Sequence, residues 1–140
     1  MQKILINDMY LKPVDIPALK LIQLKYEMDT WKRLIGFMVE ENVHLKNRIS
    51  EILKNNFSIN LLEGLETYQG RFIKEDILIS LMRNELAELD KLLVNGVFNG
   101  RIIEEIDQKL NILRNNIENV ERNFTKLKLE YNNYLSRNIY

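Results

Sequence analysis

The sequence predicts an all-α fold: an up-down-up antiparallel three-helix bundle of long, coiled-coil-like helices, preceded by a non-helical N-terminal arm. Three observations predict it. Apolar residues recur in heptads over three separate stretches. Helix-stopping residues cluster between those stretches. The first two heptads also come into register when the chain is folded back on itself. The first heptad is Leu21, Leu24, Met28, Trp31, Ile35, Met38, Asn42, Leu45, Ile49 and Ile52; the second is Leu61, Leu65, Tyr68, Phe72, Glu75, Ile79, Met82, Leu86, Leu89 and Leu93. Folding back pairs Ile52 with Leu65, Leu45 with Phe72, Asn42 with Glu75, Ile35 with Met82 and Leu24 with Leu93, and the two position numbers in each pair have the same sum. The single polar residue of each heptad therefore falls opposite the other.

Residues 1–16 form the arm and 17–140 the bundle. The arm has no helical period. It contains Pro13, and Lys3 to Ile6 reads as a short strand or extended segment. Asp15 and Pro17 read as a helix start, because Asp suits the N-cap and Pro is tolerated in the first turn. Helix 1 is expected over 17–55 and ends at Asn55-Asn56. Helix 2 is expected over 60–94, with Asn60 as cap and Glu63 as its capping-box partner. It stops at Asn95-Gly96, a left-handed C-terminal cap. Val97 to Gly100 is a turn with Asn99 as the next N-cap. Helix 3 is expected over 101–137, with Glu104 and Glu105 complementing its dipole. Its heptad is Ile103, Ile106, Leu110, Leu113, Ile117, Val120, Phe124, Leu127, Tyr131 and Tyr134, with no polar break. Each helix is about 50 Å long at 1.5 Å per residue, and the short connections impose up-down-up order. Loop length places Val120 level with the Asn42/Glu75 layer, with Ile117 or Phe124 there if the register shifts. Gly36, Gly64 and Gly70 fall inside helices, at up to about 1 kcal/mol each relative to Ala; Gly36 and Gly70 map outward.

Composition bounds the function. The 140 residues are 46% apolar and 29% charged, with two Pro and five Gly, which suits one folded domain rather than a disordered chain. The formal net charge is zero, so no global field recruits nucleic acid or an anionic membrane. Lys20, Lys25, Lys32 and Arg33 read as a solvated helix face. There is no cysteine, which removes disulfides and thiolate chemistry. No stretch approaches the ~18 apolar residues of a membrane span, and Ile4-Leu5-Ile6 is too short for a signal-peptide core. The expected location is cytoplasmic.

No catalytic, cofactor-binding or metal-ligating residue emerges. Glu41 and His44 have the Glu-x-x-His spacing of carboxylate-bridged di-iron bundles, but that site needs the motif twice, and His44 is the sole histidine. None of Ser50, Ser58, Ser80 and Ser136 sits in a nucleophile elbow. Gly96 to Gly100 lacks the lysine and hydroxyl of a phosphate loop. Trp31, Leu45, Phe72, Leu86 and Phe124 are assigned to core packing. Two features remain. Asn42 and Glu75 form a buried polar layer, in which the amide donates to the carboxylate. It is read as a register device, as a Glu75 that reaches out of the core edge, or as a buried acid that binds a cation or proton. Apolar residues also lie outside the core stripes: Ile22, Tyr26, Phe37 and Val43 on helix 1, and Ile73, Ile77 and Leu81 on helix 2. A three-helix bundle does not need this surplus. Its covering is the arm (Ile4, Leu5, Ile6, Met9, Leu11), a second copy of the chain, or another protein.

The expected function is thus a non-enzymatic interaction module, such as a scaffold, adaptor or assembly subunit. It forms a homo-oligomer (a dimer) or docks a helical protein partner through this outer stripe, without nucleic acid, membrane or cofactor. The alternative is a ligand- or ion-binding bundle centred on Asn42 and Glu75.

Overall fold

The computed structural model describes residues 16–55, 58–95 and 100–139. They form three helices: α1 (Ile16–Asn55), α2 (Ile59–Asn95) and α3 (Gly100–Asn138). Every helix end that the heptads and stop residues predict is met to within one residue. Ile16, expected in the arm, opens α1; the rest of the arm, with its expected strand and its N-cap at Asp15, lies outside the described residues, as do Gly96 and the expected cap at Asn99.

The cap of α2 differs from expectation. Ser58, not Asn60, closes the first turn: its Oγ accepts from the Leu61 N–H at 3.5 Å, and its carbonyl accepts from the Leu62 N–H at 2.9 Å. An N-cap side chain must reach the third helical amide. Because α2 begins at Ile59, that amide belongs to Leu61, so the Asn60–Glu63 capping box does not form.

The core runs the length of the bundle. It takes Leu24, Met28, Ile35 and Ile49 from α1, Leu65, Phe72, Ile79 and Leu86 from α2, and Ile106, Leu110, Ile117, Phe124 and Tyr131 from α3. Trp31 and Leu45, expected in the core, are only half-buried. For Trp31 the cause is chemical: its indole N–H needs an acceptor, and finds one at the core edge in Glu27 Oε2, 2.8 Å away.

Cross-helix contacts define the registers. Between antiparallel α1 and α2, Asp90 accepts from Lys25 (3.0 Å) and Lys32 (2.8 Å), Asp76 from Lys46, and Ser50 Oγ from Gln69 (3.4 Å). Between parallel α1 and α3, Glu27–Arg114 and Glu41–Lys128 are both 87 positions apart. Between antiparallel α2 and α3, Arg71 pairs with Glu130 at 3.0 Å, and a ladder of rings interleaves. Tyr68 meets Tyr131 and Tyr134 at centroid distances of 5.6 and 5.2 Å. Phe72 meets Phe124 and Tyr131 edge-on at 6.3 and 5.4 Å.

The ladder sets Phe124 edge-on against Phe72, whose carbonyl accepts from Asn42 in the polar layer, and Val120 is half-buried at the core edge. The close packing also uses Gly64: a Cβ there would lie 2.5 Å from Tyr134 Cζ.

Candidate functional site

Two places hold the chemistry that the core does not consume: the polar layer at mid-length and the outer surface of α1 and α2.

Asn42 is 0% exposed and is the one fully buried polar residue among those described. A buried amide is tolerable only when hydrogen-bonded. Its Nδ2 donates to the Phe72 carbonyl at 2.9 Å and to Asp76 Oδ1. Lys46 donates to the other Asp76 oxygen. The expected donation from Asn42 to Glu75 is thus replaced by donation to Asp76. The reason is geometric. Asp76 lies on the flank of α2 that faces α1, as Gln69 and Asp90 do seven residues before it and fourteen after, so it meets both Asn42 and Lys46.

Glu75 is half-buried, and its Oε1 is buried without a hydrogen-bond partner, as is Asn42 Oδ1. Burial pushes the Glu75 carboxyl up from its ordinary value, partly offset by the positive charge of Arg71. On its α3 side the residue borders a groove of about 340 Å³ lined by Arg71, Lys74, Asn123, Lys126, Leu127 and Glu130.

The Glu41/His44 motif is dismantled by the fold. Glu41 accepts from Lys128 at 2.8 Å, and His44 is exposed. Among the described residues, no group of three or more His, Cys, Asp or Glu is placed to hold a metal ion. Ser50, on the α1 flank, accepts from Gln69. Among the described residues, no helix is long and apolar enough to cross a membrane.

All seven outer apolar residues are exposed, Tyr26 and Phe37 the most, at 74% and 65%. They do not share one surface. Ile22 lies one turn before Lys25, and Ile73 one turn before Asp76; both of those charged residues pair across the α1–α2 seam. Val43 lies one turn before Lys46, on the same seam. Val43 and Ile73 thus stand level across this groove. Tyr26 joins Ile22, Leu21, Leu93 and Val94 in an apolar hollow of about 350 Å³ at one end of it. A second hollow between them is floored by Ile35, Gly36, Leu86 and Ala87. Ile77 faces straight outward. Phe37, one turn before Glu41, is turned toward α3; Leu81, one turn before Glu85, is turned toward the α2–α3 groove.

Sequence reasoning missed two features. The first is the clasp Trp31–Glu27–Arg114. Arg114 donates to both Glu27 oxygens, one at 2.7 Å, and Trp31 donates to the same carboxylate. Arg114 holds the Glu27 carboxyl below its ordinary value. Its signal is opposite charge on facing helix flanks, which becomes readable once the α1–α3 register is known. The second is the exposed Leu92 and Ile112 pair beside the α2–α3 groove.

No family model, no curated protein and no solved structure matches this chain.

Proposed function

We propose that the chain is a non-enzymatic interaction module that pairs with a second copy of itself through the outer α1–α2 groove. The observation that carries this reading is the row Ile22, Tyr26, Val43, Ile73 and Val94, all exposed along one seam. Apolar surface in that arrangement is the usual mark of a protein contact, and Gly36 and Ala87 let a partner approach the seam closely. A second copy suits the electrostatics. The seam carries both signs (Lys25, Asp90, Lys32, Arg83, Asp76, Lys46), and the net charge is zero, so two copies meet without global repulsion.

The test compares two double variants by sedimentation velocity. Val43→Lys with Ile73→Lys places charge in the groove; Phe37→Lys with Leu81→Lys places it on the two flanks. The reading expects the groove variant to be monomeric and the flank variant to stay dimeric. A groove variant with the native association constant, or a flank variant that alone dissociates, would count against it.

A second reading, a ligand- or ion-binding bundle, draws on the unpartnered Glu75 Oε1. Its test is a Glu75→Gln variant assayed for lost metal-cation binding by calorimetry.

A further inference from the structure

The polar layer holds an unbalanced set of hydrogen-bonding atoms. Asn42 spends its amide nitrogen on Phe72 and Asp76. Its Oδ1 and the Glu75 Oε1 are both buried, and neither has a partner. The Asn42 side chain lies over the α2 turn that runs from Phe72 to Asp76 and includes Glu75. Two acceptors leave each other unsatisfied, and a buried acceptor without a donor costs about 1–3 kcal/mol. A single proton satisfies both.

We infer that Glu75 and Asn42 share a proton: in its neutral form Glu75 donates Oε1–H to Asn42 Oδ1, and the bond latches the hairpin at mid-length. The proton comes from solvent through the carboxylate's exposed side, in the groove toward α3. Among the described residues, the neighbouring groups are engaged elsewhere: Asp76 accepts from Asn42 and Lys46, and the buried Tyr131 hydroxyl of α3 lies beside Arg48. On α1, Lys46 is committed to Asp76. On α2, Arg71 pairs with Glu130 of α3, and Lys74 lies in the groove. On α3, Lys126 lines that groove, while Lys128 is held by Glu41. Of these charges, Arg71 is the one that opposes protonation, and burial outweighs it.

The sign follows from linkage. A carboxyl raised in the fold binds its proton more tightly there than in the unfolded chain. Its stabilising contribution is complete below the ordinary value of 4.5 and is lost as pH rises through the folded-state value. Glu27 and Asp90, held low by Arg114 and by Lys32 with Lys25, act in the opposite sense and lose their contributions as pH falls. The latch and these two carboxylates therefore respond to pH in opposite directions, and the layer loosens as pH rises through the raised Glu75 value.

The experiment is a carbon-detected NMR titration of the native chain, following the Glu75 side-chain carboxyl and the Asn42 side-chain carbonyl. The latch requires both signals to move with one shared midpoint above 4.5, and the Asn42 response to vanish in Glu75→Gln. A Glu75 midpoint at the ordinary value overturns it. So does a raised midpoint with a motionless Asn42 carbonyl, because the proton then is not shared. Neither readout depends on association between copies.

Discussion

Replacing Gly64 and Gly70 by Ala, one at a time, should have opposite consequences although both lie inside α2. In an exposed helix interior the change gains about 0.8–1 kcal/mol from helix propensity. A Cβ at Gly70 meets nothing within 4 Å, so that gain is realised in full. For a chain of this size it raises Tm by about 3–4 °C. A Cβ at Gly64 would overlap the Tyr134 phenol, with Cζ only 2.5 Å away. The ring must swing off Tyr68, its neighbour at 5.2 Å. That forfeits about 0.5–1.5 kcal/mol of ring pairing, together with part of the apolar burial of a half-buried tyrosine. Gly64→Ala is therefore expected to be neutral to about 2 kcal/mol destabilising. The assay is urea denaturation followed by circular dichroism, with a double-mutant cycle against Tyr134→Ala. In the Tyr134→Ala background Gly64→Ala should stabilise as Gly70→Ala does, and the coupling should exceed about 1 kcal/mol. Equal stabilisation at both glycines with an additive cycle would refute the α2–α3 register.

Three further outcomes follow from the same geometry. Phe72→Ala removes a fully buried ring and should cost about 3–5 kcal/mol, read from the urea midpoint. Glu27→Gln breaks the charged clasp to Arg114; for this partly exposed pair it should cost about 1–2 kcal/mol at neutral pH. Because Arg114 holds Glu27 low, the native chain's share of that stability is present above 4.5 and lost as pH falls through the lower folded value. Denaturant midpoints of the two proteins should therefore converge in acid. Glu75→Leu removes a half-buried carboxylate with an unpartnered oxygen. It should raise stability at neutral pH by about 1–3 kcal/mol and flatten the slope above 4.5; lower stability at neutral pH would contradict the burial argument.

Heptad periodicity exposes much of this fold because each core residue is also a register mark. The bounds of the three helices and the burial of Ile35, Phe72 and Met82 needed no structure to place. What stayed hidden depends on side-chain reach or on the third helix. Asn42 turns to Asp76 rather than Glu75 because the α2 flank, not the core stripe, meets its amide, and heptad spacing alone does not say which of two adjacent carboxylates is closer. The ring ladder of Tyr68, Phe72, Phe124, Tyr131 and Tyr134 depends on how α3 docks on α2, which the heptads do not specify. The outer apolar residues are legible as surplus, yet only the seam pairs of Lys25, Lys46 and Asp76 show that Val43 and Ile73 share a groove while Phe37 and Leu81 do not.

The most direct test of the proposed role is the solution mass of the native chain, by multi-angle light scattering from sub-micromolar to high micromolar concentration. Pairing through the α1–α2 groove predicts a rise to twice the 16.7 kDa of one chain. A mass of 16.7 kDa at every concentration would contradict it.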